Sequence, residues 1–203
     1  SDRGAADGAT QFHCRFHLMD ITPVGKKKEL RTDLVSTVML TCSAGEPFLG
    51  SLTALGKSKA GQTLRLDPEG VAVSPSGTLY IADEYGPAIH EFSMKGRRIK
   101  SIQVPARFQV KNHSADPAKE AAMNKTGRSP KRGLEGIAIT PDGKKLIGAM
   151  QGPLIQDGGR KGLHCRFIEI DIATGATREF VYVMESDACA VNEIVAVTND
   201  EFL

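Results

Sequence analysis

Gly133-Leu-Glu-Gly-Ile-Ala-Ile-Thr-Pro-Asp-Gly143 is the clearest copy of a pattern that occurs three times in the chain. An earlier copy reads Pro68-Glu-Gly-Val-Ala-Val-Ser-Pro-Ser-Gly77, and a later one reads Asn192-Glu-Ile-Val-Ala-Val-Thr-Asn-Asp200. Each copy has a glutamate, then a short run of apolar residues, then turn residues or polar residues. A pattern that returns about every 60 residues predicts a repeat architecture in which neighbouring units share a core.

Each full unit predicts four short strands joined by turns. A continuous apolar run with β-branched residues opens the unit, and Pro-Ser-Gly or Pro-Asp-Gly follows it as a turn. The predicted strands are 13–21 and 33–40 in a first, incomplete unit, 70–74, 78–83, 88–94 and 98–104 in the second, and 136–140, 145–150, 165–172 and 177–183 in the third. Such four-stranded antiparallel units are typical of β-propeller blades. We therefore predict an all-β propeller fold; a β-sandwich is the alternative, which the regular return of one motif disfavours.

The repeats also predict how the chain is divided. We expect one partial propeller domain over residues 1–203 with about three blades' worth of sequence, part of a larger ring. The chain begins without Met and stops in an expected strand, so we expect missing sequence or another chain to complete the ring. The expected parts are the end of one blade plus a connection at 1–55, a blade at 66–104, an inserted loop at 105–132 with a short helix at 116–124, a blade at 133–183, and the start of the next blade at 192–203.

Composition excludes some classes of function. The net charge is +2, from 26 basic and 24 acidic residues that are interspersed, so we expect no nucleic-acid partner. No apolar run approaches the roughly 20 residues that span a bilayer, so we expect no membrane span. The five histidines show no metal-ligand spacing beyond His13 and His17, and no Gly-x-Ser-x-Gly motif carries a serine nucleophile.

The repeated glutamates are candidate metal ligands. In a propeller, the start of each inner strand, the loop between the second and third strands and the connections between blades all lie on one face. Carboxylates gathered there repel one another unless a cation or basic side chains offset their charge. Oxygen ligands of this kind suit Ca²⁺. The candidate set is Glu69, Asp83, Glu84, Glu135, Asp157 and Glu193. The alternative is structural: the glutamates cap backbone amides of the inner strands and bind nothing.

Basic residues are expected on the same face. Lys131 and Arg132 end the long connection, and Arg160 lies in the loop at 151–162. Beside Ca²⁺ these residues are candidates for binding a phosphate group, because arginine binds phosphate oxygens in a bidentate way. The alternative is a solvated basic loop.

The spacing of the four cysteines predicts disulfides, and two Asn-x-Ser/Thr triplets predict glycosylation. Cys14 and Cys165 both open third strands, and Cys42 and Cys189 follow fourth strands, at separations of 28 and 24 residues. A hairpin brings such positions together, so the favoured pairing is Cys14–Cys42 and Cys165–Cys189; four buried free thiols are the alternative. Asn112-His-Ser and Asn124-Lys-Thr match the glycosylation pattern, although such triplets are frequent by chance.

Several longer motifs resemble a known family. The stretches are Leu66-Asp-Pro-Glu-Gly-Val-Ala-Val73, Tyr80-Ile-Ala-Asp-Glu-Tyr-Gly-Pro87, Arg132-Gly-Leu-Glu-Gly-Ile-Ala-Ile-Thr-Pro-Asp-Gly143, Pro153-Leu-Ile-Gln-Asp-Gly158, Asn192-Glu-Ile194 and the opening Ser1-Asp-Arg-Gly4. In this order they resemble the phytase-like family, also described as having esterase-like activity of phytase. The resemblance implies a β-propeller, usually in exported proteins, with calcium and hydrolysis of phosphate esters. It assigns no catalytic role to any single residue.

These observations lead to two hypotheses of function. The first is a secreted or otherwise exported, calcium-binding propeller that hydrolyses small phosphomonoesters. The second is a secreted propeller scaffold without enzymatic activity, whose loop face binds a protein or a glycan. Calcium-dependent release of phosphate would distinguish them.

Overall fold

The computed structural model describes residues 12–25, 29–50, 58, 59, 61 and 63–203. The opening Ser1–Gly4 motif and residues 51–55 of the expected connection lie outside the described residues. The strands are β1 Arg15–Val24, β2 Glu29–Met39, β3 Pro68–Val73, β4 Thr78–Asp83, β5 Ala88–Ser93, β6 Arg98–Gln103, β7 Leu134–Ile139, β8 Lys145–Met150, β9 His164–Asp171 and β10 Thr177–Val183; the helix α1 is Pro117–Met123.

The described residues form two four-stranded antiparallel sheets and one hairpin. One sheet has the order β3-β4-β5-β6, the other β7-β8-β9-β10, and β1 pairs with β2. In each sheet the strands follow one another as in the chain; short turns join them, except that residues 151–163 form a longer loop between β8 and β9. The prediction of an all-β fold built from four-stranded propeller blades is confirmed, and several strands have the predicted bounds, for example Thr78–Asp83 and Thr177–Val183.

The main core lies between the two blades. The second strands β4 and β8 are almost entirely buried, since each pairs on both edges and is covered on its faces. Ile89 of the first blade packs in one cluster with Leu134, Leu146 and Ile168 of the second. A second cluster joins the first blade to the preceding segment through Cys14, Leu40, Phe48, Leu66 and Phe92. The outer strands β6 and β10 are mostly exposed.

The inner strands of neighbouring units lie in direct backbone contact. A Cβ atom added at Gly70 would lie 2.6 Å from the backbone oxygen of Glu135, and one added at Gly136 would lie 3.0 Å from the backbone of Glu193. Side chains larger than hydrogen therefore do not fit at these two positions without a backbone shift. This close approach places the three copies of the repeated glutamate on adjacent strands or segments.

The hairpin β1–β2 is longer than the predicted strands at 13–21 and 33–40. Pairing continues to Val24 and Glu29, with a register shift between Leu18 and Met19. The extra residues include Thr22 and Val24, whose β-branched side chains favour extended backbone. Most residues of the hairpin are exposed on both faces.

The connection between the blades contains the expected short helix. Asp116 caps α1, because its Oδ1 accepts hydrogen bonds from the backbone N–H groups of Ala118 and Lys119, and Pro117 occupies the first helical position. Arg128, at the end of the connection, forms an ion pair of 2.8 Å with Glu120 of the helix. Both side chains are buried. This pair fixes the connection against the first blade, since Arg128 Nε also donates to the carbonyl of Tyr85.

The structure corrects the two predicted disulfides. All four cysteines are free thiols. The Sγ atom of Cys14 donates to the carbonyl of Leu66, and that of Cys165 donates to the carbonyl of Met150 at 2.9 Å. Cys189 contacts the hydroxyl of Ser186 instead of Cys165. Equivalent positions in two blades predicted the pairing, but the side chains of Cys14 and Cys165 are directed to neighbouring backbone in the core.

The structure also corrects one predicted glycosylation site. Asn124 is buried, and its Nδ2 donates to the carbonyls of Asn112 and Glu120. Its Oδ1 accepts the N–H groups of Lys111 and Asn112. The amide therefore closes a loop and has no room for a sugar. Asn112 is exposed and stays a predicted acceptor.

Within the described ranges, no helix has both the length and the apolar character needed to cross a bilayer.

Candidate functional site

Three carboxylates meet where the first blade begins. Asp67 and Glu69 flank Pro68, the first residue of β3, and Glu84 follows the end of β4. One oxygen from each of Asp67, Glu69 and Glu84 lies within 4.8 Å of the others. Two features bring them together: Pro68 pairs with Asp83 across the antiparallel strands, and the N–H of Glu84 donates to the carbonyl of Asp67. Asp67 and Glu84 are buried, and Glu69 is partly buried.

Burial and mutual repulsion alter the acidity of this cluster. The pKa of Glu69 rises from 4.5 to about 7, first because the carboxyl is desolvated and then because Asp67 and Glu135 are nearby. The pKa of Glu84 rises to about 8, again mainly through desolvation. The backbone N–H of Gly133 and the charge of Arg128 act in the opposite direction on Glu84. A cation bound here would remove the repulsion that raises both values.

The second blade contributes to the same cluster. The N–H of Gly133 donates to Glu84 Oε1 at 3.1 Å, so the carboxylate of the first blade is oriented by the backbone of the second. Glu135 lies on β7 and adds its negative charge to the surroundings of both Glu69 and Glu84. Four carboxylates from two blades therefore interact electrostatically, and Glu69, Glu84 and Glu135 belong to the set proposed from the sequence.

The other three predicted ligands lie elsewhere. Asp83 Oδ1 accepts the backbone N–H groups of Asp67 and Tyr85, and its Oδ2 lies 3.6 Å from His90 Nε2. Asp157 binds Arg166 through both oxygens, at 2.6 and 2.8 Å. Glu193 is exposed, and its Oε1 accepts the N–H of Ile194, which is the capping role considered as the structural alternative. None of the three belongs to the group of close carboxylate oxygens among the described residues.

The predicted phosphate-binding residues lie just before β7 and in the loop between β8 and β9. Lys131 lines a narrow cleft together with Glu84, Tyr85 and Arg128. Arg132 packs against Gly152, and within the described part of the chain its buried Nη1 has no hydrogen-bond partner. Arg160 is exposed and donates to the carbonyl of Pro130 at 2.9 Å. Lys131 is thus beside the carboxylate cluster, whereas Arg160 holds the loop in place.

Sequence reasoning missed Asp67 and the structural role of Arg128, which was expected only as a basic residue on the same face. Asp67 stands two residues before Glu69 and directly before β3, so the motif Leu66-Asp-Pro-Glu69 already showed two carboxylates at the start of one strand. Arg128 had no such signal, because its partner Glu120 and its acceptor Tyr85 are contributed by separate segments. The arrangement offers a pre-formed set of oxygen donors of a kind that hard divalent cations prefer.

Comparison with known proteins places the chain in a family. The model of the family described as "Phytase-like: Esterase-like activity of phytase" matches residues 1–203. An uncharacterized secreted protein of Arthroderma benhamiae is 32% identical over 143 residues, covering 63% of this chain and 28% of that protein. A crystal structure of a protein of unknown function from Bacteroides caccae covers 78% of this chain and 42% of its own, at 13% identity and a TM-score of 0.37. The chain thus spans well under half the length of both proteins. Since the family model extends over all 203 residues, the chain belongs to the phytase-like family.

Proposed function

We propose that this chain is part of an exported, calcium-binding propeller that hydrolyses small phosphomonoesters, with Asp67, Glu69 and Glu84 as calcium ligands. The observation that carries the proposal is the convergence of these three carboxylates to within 4.8 Å. Membership of the phytase-like family supports the reaction class. The word "secreted" in the name of the Arthroderma relative supports export.

The spacing of the donor oxygens fits calcium. Ca²⁺ binds oxygen at roughly 2.3 to 2.6 Å, so two ligands on opposite sides of one ion lie at most about 5 Å apart. The three carboxylate oxygens satisfy that limit. Glu135 is the next carboxylate in reach and comes from the neighbouring blade. Calcium, when bound, would polarise phosphoryl oxygens and offset their negative charge.

The chain's own residues would position the ligands and the substrate. The N–H of Gly133 holds one oxygen of Glu84, which leaves the other oxygen for a cation. Lys131 lies beside Glu84 in the cleft, and Arg132 has a buried nitrogen without a partner among the described residues. Both would help to neutralise a phosphate group, while Arg160 donates to the carbonyl of Pro130 in the segment before them.

The test is a comparison of the intact protein with calcium and with a chelator. We expect calcium to bind, to raise the melting temperature and to be required for release of phosphate from p-nitrophenyl phosphate. Glu69→Gln should lose calcium binding and phosphate release together. Asp187→Asn, which removes an exposed carboxylate outside the cluster, is the matched control and should behave as the unmodified protein.

Two results would change the proposal in different ways. Calcium binding at the cluster without phosphate release would retain the metal site and favour the scaffold that binds a protein or a glycan. If calcium neither binds nor changes the melting temperature, the metal site and the hydrolase proposal that depends on it are both rejected.

A further inference from the structure

A cavity lies beside the loop that carries Glu84. Its volume is about 480 Å³, in the range of sites for small molecules. Asp83, Tyr85 and Gly86 of the β4–β5 loop form one wall. The remaining walls come from the outer half of the first blade, the segment before β3 and the connection after β6; they include Arg65, His90, Arg98, Ser101 and His113.

Arg65 is the unusual residue of this cavity. Only 6% of its surface is exposed, and no described residue accepts a hydrogen bond from its Nη1. Its Nη2 contacts His113 Nδ1 at 3.2 Å, and its guanidinium lies over the ring of Tyr85. A buried guanidinium nitrogen without an acceptor is costly, because it has lost its water without gaining a hydrogen bond. The side chain is held in place at the cavity wall, and the protein uses only part of its hydrogen-bonding capacity.

The cavity has an excess of positive charge. Arg98 lines it and lies over the ring of Phe48. The one carboxylate in the wall, Asp83, is already engaged: its Oδ1 accepts two backbone N–H groups and its Oδ2 lies near His90. Nearby Glu120 is paired with Arg128. With neutral histidines, the two arginines and one aspartate of the wall leave a net charge of +1.

We propose that this cavity binds the oxyanion of a small organic molecule, a phosphate or a carboxylate, through the guanidinium groups of Arg65 and Arg98. Arginine forks match both groups, and hydrogen bonds between charged partners are the strong ones. Ser101 and His113 supply further polar contacts, while Tyr85 provides apolar surface for the organic part. The site is separate from the carboxylate cluster and needs no calcium, so it goes beyond the function proposed above.

Binding of three matched probes to the intact protein tests this. The probes are phenylphosphonate, benzoate and the neutral benzyl alcohol, titrated by calorimetry in a chelator at constant ionic strength. We expect at least one of the two anions to bind and benzyl alcohol not to bind. Arg65→Gln and Arg98→Gln should each weaken binding at least about tenfold. Arg178→Gln, which removes an exposed arginine of the second blade, should leave binding within about twofold.

Each outcome either supports or overturns the proposed oxyanion site. Preference for phenylphosphonate or for benzoate identifies which oxyanion the site takes. The proposal is overturned if neither anion binds, or if Arg98→Gln and Arg178→Gln have equal effects. The second variant keeps the test valid even where Arg65→Gln prevents folding. Because calcium is absent, failure here leaves the proposed metal site untouched, and the reverse also holds.

Discussion

At the scale of single residues, the carboxylate cluster and the thiols show how surroundings decide chemistry. Glu69 and Glu193 occupy equivalent places in the repeat. Glu69 is desolvated and faces other carboxylates, whereas Glu193 is exposed and accepts its neighbour's N–H. Asp67, outside the repeated glutamate position, completes the group of three. A repeated residue type therefore marks a position in the fold, and the neighbours of each copy determine whether it can bind a metal.

Glu84→Gln should stabilise the calcium-free protein. The substitution removes a buried negative charge, and the amide oxygen can still accept the N–H of Gly133. At pH 8 in a chelator we expect the melting temperature to rise by about 2–4 °C, which corresponds to roughly 1 kcal/mol for a chain of this size. In excess calcium the same variant should melt below the unmodified protein. Asp187→Asn is the control, and a lower melting temperature for Glu84→Gln in both buffers would contradict the prediction.

The thiols should react in an order set by their burial. Burial raises the pKa of Cys14 and of Cys165 to about 12, so neither forms a thiolate at neutral pH. With iodoacetamide at pH 8 we expect the half-buried Cys189 to be modified first and these two to stay unmodified in the folded state. In denaturant without reductant, all four should be modified, as mass spectrometry would show. Failure to modify them there would mean that disulfides form after all.

At the scale of elements, the blades are joined by backbone rather than by side chains alone. Strand β3 lies so close to β7 that Gly70 has no room for a methyl group, and Gly136 has the same relation to the segment after it. This contact explains why the two Glu-Gly pairs align across the blades. It also sets the distance from Glu69 to Glu135, on which the charge of the candidate site depends.

Gly70→Ala should therefore be strongly destabilising. The added Cβ would lie 2.6 Å from a backbone oxygen, and backbone cannot move aside as a flexible side chain can. We expect a loss of about 2–3 kcal/mol in the free energy of unfolding, within the range for overpacked sites, measured by denaturant titration. Gly86→Ala is the matched control, since its added Cβ would meet only Asp83 Oδ2 at 3.9 Å. Equal effects of the two substitutions would argue against close strand contact.

At the scale of the whole molecule, one short stretch, residues 83–86, contributes to two candidate sites of opposite charge. Glu84 faces the carboxylate cluster, while Asp83 and Tyr85 line the cavity of Arg65. This stretch is held by the connection between the blades, because Arg128 donates to the carbonyl of Tyr85. The inserted connection thus supports both candidate sites, and its own stability rests on the buried pair with Glu120.

Calcium affinity should depend on pH. In the metal-free protein Glu69 has a pKa of about 7 and Glu84 of about 8, so below these values calcium must displace protons. We expect binding at pH 6 to be at least about tenfold weaker than at pH 8.5, with protons released on binding, as calorimetry in buffers of different ionisation enthalpy would report.

The stability of the calcium-free protein should depend on pH in the opposite direction: in a chelator, the folded state becomes less stable as the pH rises. Both raised values favour the folded state below about pH 4.5, and this contribution is lost as the pH rises to about 8.

An affinity for calcium that is constant from pH 6 to 8.5 would contradict this account. The same experiment on Glu69→Gln separates the contributions of the two carboxyls. If both protons matter, the variant should release fewer protons per calcium bound, provided that enough calcium is used to saturate its weakened site.

The amino-acid sequence by itself determined the blades. Strand order, turns and the capped helix α1 depend on neighbours along the chain: alternating or continuous apolar runs, Pro-x-Gly turns, and Asp116 before Pro117. Such signals are local, so they can be read without coordinates. The repeat also indicated that Glu69 and Glu135 would be close, because equivalent positions of adjacent blades lie side by side.

Only the tertiary structure decided which of these side chains work together. Asp67 belongs to the cluster because β3 and β4 pair antiparallel. Asp157 lies outside the cluster because Arg166 of β9 binds both of its oxygens. Arg65 contacts His113, which is contributed by a distant segment of the chain. The unpaired thiols and the buried amide of Asn124 have the same origin. Burial, ion pairing and hydrogen bonding act through space between segments far apart in the chain, and no local pattern encodes which partner each group finds.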